Sequence, residues 1–591
     1  MWIFRPSLEN HSTRRAAHAV AWVVLAMVGL ALLIQSHPCW GDPIIDLGRD
    51  LYLPSQIIAG RVLYRHLIYN YGPAAPYILA GVVAVFGDAL QVFATVGILC
   101  GVATMAALYA IGVYLGGVLC GFTSALFFLV LNFFANTTWG CNFVLPYSYA
   151  AVVATPAAMW SFYFLLRYLY DGRQTLHLVA SVLPCYATLL SKQDIGLAIA
   201  AVHVVAWYSH RVSWRAILTV SGGGLCLFLF LVLTFQARSP VEHAVISENL
   251  SRFLPFVGQG LAPGSPFFRR VAGLDKPLHH LGEALNRLFV PVATVLMVYL
   301  LTGIREVLRR RQWRLLIATF ILALVLPRFI WTQADGHIFR GSYLASIILW
   351  PTLVILRPRD PLVLLSAFVL FSGLRIPLKY DPYWYGFYLC VPVYPFTTYL
   401  LGVRVPRFLT WRCAAVAAFS ALALVILIRF EIATHTSFRE RGGTLVTPKG
   451  IMRDPWVPGR PQAIEAFLTY IRHREPRPRS MVVFPEGVTL NYFTDIQNPT
   501  AYYIFTPPEV SSPQVEERMV NELRAAAPDC VVVVTRDVRE FGRSGFGVDY
   551  ALAIRAWIEE NYTLECVFTG PEQTNWRLWL LRRAIKREKH T

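Results

Sequence analysis

The chain has 591 residues, of which 56% are hydrophobic and 15% charged, and its mean hydropathy is +0.49. Such a composition excludes a soluble globular protein of this length and indicates an integral membrane protein. The formal net charge of +18 would suit a nucleic-acid binder. The basic residues are spread along the chain rather than gathered in one patch, so no nucleic-acid partner is expected.

About 13 apolar runs predict membrane-spanning helices, because each is long enough to cross a hydrocarbon core of about 30 Å. The predicted spans are 16–35, 88–113, 117–134, 147–167, 175–191, 195–210, 216–236, 286–304, 314–328, 342–356, 361–375, 385–402 and 412–430. Together they define a polytopic α-helical module over residues 1–430. The first run lacks a small-residue cleavage site, so we expect an uncleaved anchor.

Basic residues cluster at one set of ends of these spans, which the positive-inside rule assigns to the cytoplasm. The N-terminus is therefore expected in the cytoplasm, and an odd number of spans places the region after the last span outside. Most carboxylates lie in the loops on that outer side. The predicted outer loops are 36–87, 131–146, 192–194, 237–285, 329–341 and 376–384.

The first outer loop, 36–87, places Asp42, Asp46 and Asp50 directly beside the membrane. Asp46 and Asp50 are four residues apart, so in a helix they share one face, with Arg49 beside them. A carboxylate against an apolar wall holds its proton more tightly and can act as a general base. The alternative is that these aspartates cap a helix and keep the loop hydrated. Asp42 precedes a proline and is typical of a turn.

The outer loops also carry basic side chains that can bind a phosphate: Arg65, Lys192, Arg328 and Arg340. Lys192 lies between two predicted spans, near the hydrocarbon boundary, where an unpaired charge is costly. It can contact a phosphate, pair with the adjacent Asp194 or extend its amine to the interface. Asp335 and His337, in the same outer loop as Arg340, can contact substrate or complete a polar cluster at a helix end.

Carboxylates and cations on one outer face suit the transfer of a group from a lipid phosphate to a hydroxyl. The base takes the acceptor proton while the cations stabilise the departing phosphate. Tyr64 and Tyr71, in the first outer loop, can stack on a sugar ring. They also fit an interfacial aromatic belt, which by itself explains their position.

The region after the last span, 431–591, has ordinary polarity and begins with a proline-rich linker. Helix and strand patterns alternate beyond it, which predicts a small three-layer α/β domain with a mostly parallel sheet. The predicted helices and strands are 461–474, 480–484, 513–527, 530–535, 548–560, 563–568 and 576–582. The charge of Glu486 is expected to favour the start of a helix after the first strand of this domain. The alternative is that Glu486 binds a glycan.

Ten cysteines are scattered without CxxC spacing, which argues against a cysteine-based zinc site. Two pairs on the outer side are candidate disulfides, Cys39 with Cys141 and Cys530 with Cys566. Buried free thiols are the alternative, and the sequence leaves both open.

Four stretches carry a resemblance to a known family. "DLGRDLYLPSQIIAGRVLYRHLIYNYGPAAPYILAGVVAVFG" resembles an acidic outer loop followed by a Gly-Pro turn and a juxtamembrane helix ending in Phe-Gly. "SKQDIG" resembles a lysine-bearing junction between spans, and "RFIWTQADGHI" an outer loop with Arg, Asp and His. "FPEGVTLNYFTDIQNPT" resembles the start of an extracytoplasmic α/β domain. The family is that of the GT-C polytopic glycosyltransferases, in the branch of protein O-mannosyltransferase-like and aminoarabinose-transferase-like enzymes.

The resemblance implies a GT-C fold in a bacterial inner membrane, with the C-terminal domain extracytoplasmic. It also implies a sugar donor carried on a polyprenyl phosphate and an inverting displacement onto an acceptor hydroxyl. The acceptor can be a lipid, a polysaccharide or a protein. The base falls on Asp46, with Asp50 as alternate. Many members show an Asp-Glu pair in this loop, whereas this chain separates Asp46 and Asp50 by Leu-Gly-Arg, which leaves open which aspartate is the base.

The resemblance leaves the need for a metal open. Some members hold the phosphate with a divalent cation such as Mg²⁺ or Mn²⁺, and others use only basic side chains. The many outer Arg and Lys residues favour cations from the protein itself, so no metal ligands are assigned.

Two other classes of function compete with a transferase. A multi-span transporter or flippase of lipid-linked or envelope glycans also combines many spans with charged loops, but such carriers often show internal repeats and charges at the midplane. No repeat is visible here. A non-catalytic anchor for the α/β domain needs one span rather than a dozen.

Overall fold

The structure, a computed structural model, describes most of the chain. The described residues are 11–134, 140–218, 221–224, 226, 266–286, 334–408, 443–454, 457–571 and 574–584, with a few positions between 416 and 428. The predicted spans 286–304 and 314–328 lie outside them. The predicted spans 216–236 and 412–430 lie outside them except at scattered positions.

The first half of the chain is helical. Helices α1 to α8 are His11–Ser36, Leu47–Ile58, Ala74–Phe86, Leu90–Gly116, Val118–Phe128, Tyr149–Tyr170, Thr175–Leu189 and Gln193–His210. A π-helical turn at Leu129–Phe133 extends α5. Helices α9 to α13 are Pro266–Ala272, Ala334–Leu356, Pro361–Gly373, Gly386–Leu389 and Val393–Tyr399. Asp360 caps α11, since its carboxylate accepts the Leu362 N–H at 3.1 Å.

Four helical stretches in the described part of the chain are long and apolar enough to cross a membrane: Ser12–Ser36, Leu90–Gly116, Tyr149–Tyr170 and Phe339–Leu356. Shorter apolar helices are Ala74–Phe86, Val118–Phe133, Thr175–Leu189 and Pro361–Gly373. All but one of these eight coincide with predicted spans. The exception, α3, lies inside the predicted first outer loop, where the family resemblance implied a helix ending in Phe-Gly.

The prediction of one continuous helix over 385–402 is wrong. The structure has two short helices, α12 and α13, followed by a π-helical turn at Leu400–Arg404. Pro392 lies between α12 and α13 and has no N–H to donate, which interrupts the helical hydrogen bonds at that point.

The C-terminal region contains helices α14 to α17: Arg460–His473, Thr489–Thr494, Pro513–Ala526 and Leu552–Asn561. Its sheet contains β3 to β6: Met481–Phe484, Cys530–Val534, Tyr562–Thr569 and Arg577–Arg583. The order is β3-β4-β6-β5, and only β3 and β4 are parallel. The predicted elements exist, but the mostly parallel sheet is wrong, because β5 and β6 form a hairpin that adds two antiparallel pairs.

Part of the predicted linker is also ordered. Strands β1, Thr444–Thr447, and β2, Gly450–Arg453, form an antiparallel hairpin. Lys449, in its turn, places its ammonium 2.7 Å from both Asp88 and Asp495. The hairpin therefore connects the segment before α4 to the C-terminal region.

The first outer segment, 37–73, packs against the C-terminal region. Helix α2 contacts α15 so closely that a Cβ added to Gly48 would lie 2.1 Å from Thr489 Oγ1 and 2.5 Å from its nitrogen. Arg460, which is 2% exposed, donates to Asp42 and to Asp454 at 2.8 Å each. The two parts share one continuous apolar core that includes Leu51 and Leu490.

Gly48→Ala is expected to destabilise the protein by roughly 1–3 kcal/mol, the usual cost of overpacking, because the methyl meets backbone atoms of Thr489. Gly81→Ala on α3 is the matched control, since a Cβ there meets nothing within 4 Å. Thermal unfolding of the purified chain in detergent measures both. Equal melting temperatures for the two variants would contradict this packing.

Candidate active site

A cavity of about 1460 Å³ lies at the junction between the helical module and the C-terminal region. Its walls come from the first outer segment, from loops between apolar helices and from the segments around β3, β4 and α16. Several charged residues of both signs line it: Asp46, Arg49, Asp194, Arg340, Arg375, Lys379, Asp381, Glu486, Arg536 and Glu540. Four of these, Asp46, Arg49, Asp194 and Arg340, belong to the sites that the sequence suggested.

Asp46 lies immediately before α2 with a φ of 59°, a conformation that costs a non-glycine residue free energy and is found most often at functional sites. Its backbone N–H donates to Glu486 Oε1 at 2.8 Å, which holds this turn against the C-terminal region. The Asp46 side chain is 41% exposed, with Arg49 Nη1 at 3.9 Å. The Asp46 carboxylate is thus a cavity group positioned by contacts from two parts of the chain.

The pKa of Asp46 is raised to about 7, first by the loss of solvation of its carboxylate in the cavity wall and then by the neighbouring carboxylate of Glu486. Arg49 and Arg536 oppose this rise, and Glu540 adds to it. A carboxylate with a pKa near neutrality can take up a proton during a reaction and release it afterwards.

Asp50 has a different environment, which corrects the expectation that the two aspartates share one helix face. The Asp50 side chain is buried and accepts the Tyr149 N–H at 2.8 Å and the Tyr69 hydroxyl at 3.4 Å. Arg49 Nε lies 3.3 Å from it. Asp50 does not line the cavity, so the structure leaves Asp46 as the accessible aspartate of the pair.

Arg49 connects the two aspartates. Its guanidinium also donates to the Tyr147 carbonyl at 3.0 Å and lies 5.0 Å from the centre of the Tyr71 ring. Arg49 is buried, but it lines the cavity wall beside Asp46. The predicted place of Arg49 next to the acidic site is therefore observed.

Lys192 is fully buried, and its ammonium has no hydrogen-bond partner among the described residues. Lys192 Nζ lies 3.3 Å from the centre of the Tyr71 ring, and Tyr71 itself lines the cavity. Burial lowers the pKa of Lys192 well below its ordinary value. The local ion pair with Asp194, one of the readings of the sequence, is not formed.

Asp194 pairs instead with Arg375 and accepts a hydrogen bond from the Tyr388 hydroxyl. The Arg375 guanidinium stacks 3.9 Å from the centre of the Tyr385 ring. Both partners of the Asp194–Arg375 pair line the cavity. Arg375 is thereby a fixed cation in the cavity wall, oriented by a carboxylate and an aromatic face.

Arg340 lines the cavity as predicted, but two carboxylates occupy its guanidinium. Arg340 donates to Asp381 Oδ1 at 2.8 Å and to Glu283 Oε2 at 2.9 Å. Arg65 is not part of the cavity and lines a separate depression of about 370 Å³. Of these two predicted phosphate ligands, Arg65 therefore lies outside the cavity, and Arg340 is in the cavity wall but already paired with two carboxylates.

Three other predicted residues lie outside the described parts of the structure. Arg328 is not described. For Asp335 and His337 the structure describes only the helical backbone, in the first turn of α10. Their contacts with substrate stay a prediction.

The two predicted tyrosines have different roles. Tyr64 is buried, and its hydroxyl donates to the Tyr71 carbonyl at 2.6 Å, so Tyr64 supports the loop rather than lining the cavity. Tyr71 presents its ring between the cations of Arg49 and Lys192.

Asp42 is a turn residue, as the sequence indicated. Its carboxylate accepts the N–H groups of Ile44 and Ile45 at 2.8 Å each. The cysteines of both candidate disulfides, Cys39 with Cys141 and Cys530 with Cys566, are free thiols.

Sequence reasoning missed Arg375 and Arg536, and it assigned Glu486 to the start of a helix with glycan binding as the alternative. Glu486 accepts Arg536 Nε at 3.0 Å, while Arg536 Nη2 donates to Glu540 at 2.6 Å. Arg375 carries a signal that was available, a charge at the end of an apolar run. Glu486 meets Asp46 across 440 residues of sequence, a separation that no local pattern encodes.

Comparison with known proteins finds no matching family model and no matching curated protein. The chain is similar to the solved structure of the Archaeoglobus fulgidus oligosaccharyltransferase in the apo form, with 13% identity over 94% of this chain and 75% of that chain and a TM-score of 0.47. It is also similar to ArnT from Cupriavidus metallidurans bound to undecaprenyl phosphate, with 13% identity over 95% of this chain and 98% of that chain and a TM-score of 0.44. A third similar structure is that of the arabinofuranosyltransferase AftD from Mycobacteria, with 14% identity over 98% of this chain and 42% of that chain and a TM-score of 0.41. At such identities and TM-scores the likeness carries no argument about this chain.

Lys192→Met is expected to raise the stability of the unliganded protein by roughly 0.5–2 kcal/mol, because it removes a buried ammonium without a hydrogen-bond partner. Lys449→Met is the matched control and should lower stability, since Lys449 pairs with Asp88 and Asp495. Thermal unfolding in detergent tests both. A large loss of stability in Lys192→Met would show that its ammonium has a stabilising partner.

Proposed function

We propose that this protein is a glycosyltransferase that moves a sugar from a polyprenyl-phosphate-linked donor to a hydroxyl of an extracytoplasmic acceptor. The observation that carries the proposal is the placement, around one cavity, of a carboxylate with a pKa near 7 and a group of cations. The carboxylate is Asp46, and the cations are Arg49, Arg375 and, next to the cavity wall, Lys192.

In this reaction Asp46 is the general base. Its carboxylate takes the proton of the acceptor hydroxyl as the hydroxyl oxygen forms a bond to the anomeric carbon of the sugar. The bond between that carbon and the phosphate oxygen breaks, and the phosphate leaves with the electron pair. Attack from the face opposite the leaving group inverts the configuration.

The leaving phosphate needs positive charge, which Arg375 supplies and which Lys192 supplies once the negative charge of the donor phosphate beside it raises its lowered pKa. Arg375 is held by Asp194 and Tyr385, so it requires little reorganisation when the charge develops. The Nζ of Lys192 can donate hydrogen bonds to the phosphate, because it has no hydrogen-bond partner within the described structure. The phosphate reaches Lys192 when the side chain of Tyr71, which covers it, rotates away.

The size of the cavity supports a reaction between two substrates. Its volume of about 1460 Å³ exceeds the roughly 300–1,000 Å³ typical of a pocket for one small ligand. The helical module delivers the lipid-linked donor, and the wall formed by the C-terminal region receives the acceptor. In this proposal the protein lies in a bacterial inner membrane with residues 431–591 outside the cytoplasm, and the acceptor is a lipid, a polysaccharide or a protein.

Basic side chains are assigned to the phosphate, and the choice between them and a Mg²⁺ or Mn²⁺ ion remains a prediction. Asp46 and Glu486 are each already engaged by an arginine. Within the described residues, no set of three potential metal ligands includes either of them.

Asp46→Asn is expected to lower the rate of sugar transfer by about 10²–10⁴-fold, the usual contribution of a general base, while the protein remains folded. Asp495→Asn on the surface is the matched control and should retain activity, since Asp495 directly follows α15, pairs with Lys449 and does not line the cavity. Transfer from a polyprenyl-phosphate sugar in proteoliposomes measures both. Full activity of Asp46→Asn at normal expression would exclude Asp46 as the base.

The rate of transfer should rise with pH through about 7, because only the deprotonated form of Asp46 accepts a proton and its pKa is about 7. Glu486→Gln should move this rise to lower pH, since it removes a carboxylate that raises the pKa of Asp46 while keeping an oxygen for its N–H. Glu559→Gln, on an exposed helix face, is the control and should leave the profile unchanged. An unshifted profile in Glu486→Gln would contradict the coupling.

A further inference from the structure

A cluster of potential metal ligands lies beside the cavity rim, away from Asp46. Helical residues 277–286 carry His279, His280 and Glu283, and one ligand atom from each lies within 4.8 Å of the others. His279 Nε2 is 3.5 Å from Glu283 Oε1, and His280 Nδ1 is 3.4 Å from Glu283 Oε2. Four donors bound tetrahedrally at about 2.0–2.1 Å from one ion are about 3.3–3.4 Å apart, so each histidine nitrogen lies near ligand spacing from one of the two carboxylate oxygens of Glu283.

The surroundings have the arrangement that orients metal ligands in proteins. Asp275 Oδ1 lies 3.3 Å from His280 Nε2, the ring nitrogen not turned toward Glu283, and this buried nitrogen has no hydrogen-bond partner among the described residues. A ligating histidine commonly has its second nitrogen facing a carboxylate, and a ligating carboxylate is commonly hydrogen-bonded in turn. Glu283 meets the second condition, because Arg340 Nη1 donates to its Oε2 at 2.9 Å.

We propose that His279, His280 Nδ1 and Glu283 bind one divalent ion of the zinc type, with Asp275 orienting His280 and Arg340 orienting Glu283. Two imidazoles and one carboxylate are nitrogen and oxygen donors that zinc accepts, whereas Mg²⁺ and Ca²⁺ prefer oxygen ligands alone. Three protein ligands leave a fourth position for water.

The position of the site indicates a structural role for the ion at the cavity rim. The segment 266–286 rests on the loop after α11, where Leu378 N–H donates to the Ala272 carbonyl at 3.2 Å and Lys379 Nζ to the Arg270 carbonyl at 2.7 Å. Arg270, Lys379 and Arg340 all line the cavity. The ion joins three side chains within helical residues 277–286, and Glu283 connects this helix to the rim through Arg340; this holds whether or not Asp46 is the base.

The test uses the full chain purified in detergent, stripped with a chelator and titrated with zinc chloride. We expect one zinc per chain by elemental analysis after removal of free metal, and a rise in melting temperature that an excess of magnesium chloride does not reproduce. His279→Ala should weaken zinc binding by tenfold or more, since it removes a ligand whose side chain is 64% exposed and not needed for folding.

His473→Ala, at an exposed histidine of α14, is the matched control and should bind zinc as the unmodified chain does. Glu283→Gln provides a second variant with an isosteric side chain and should also weaken binding. A chain that binds no zinc, or a His279→Ala variant that binds zinc with unchanged affinity, overturns the proposal.

Discussion

The structure depends on the pairing of buried charges where the first outer segment meets the C-terminal region. An unpaired charge in such a place would cost several kcal/mol, so each contact fixes the position of both partners. Arg460 joins Asp42 to Asp454, and Glu486 accepts the N–H of Asp46 while binding Arg536. Because the first segment is held at two points, the Asp46 carboxylate is presented to the cavity in a strained but defined conformation.

Lys192 is the exception to this rule, and the exception has a functional meaning in the proposed reaction. A buried ammonium without a hydrogen-bond partner in the described structure is a cost that an incoming phosphate can relieve. Arg375, by contrast, is already oriented by Asp194. The site thus combines a rigid cation with one whose partner is expected to be the substrate, separated from the cavity by Tyr71.

Much of the architecture could be predicted from the sequence, because apolar run length and local periodicity encode helices and strands directly. The locations of α4, α6 and the strands of the C-terminal sheet follow from such patterns, and so does the choice of Asp46 and Lys192 as candidate site residues. Strand order does not, since the β5–β6 hairpin depends on long-range pairing. The different environments of Asp46 and Asp50 depend on backbone geometry at the start of α2. The position of Glu486 next to Asp46 depends on a contact between segments far apart in sequence.

The central claim is that Asp46, Arg375 and Lys192 act on one phosphate-linked sugar in one cavity. The most direct measurement is an experimental structure of the chain with a polyprenyl monophosphate bound. The account predicts a phosphate oxygen within about 3 Å of Arg375 and of Lys192 Nζ, with the Tyr71 ring displaced and Asp46 facing the same space. A phosphate bound away from this cavity, for instance beside Arg65, with Lys192 still covered by Tyr71, would contradict it.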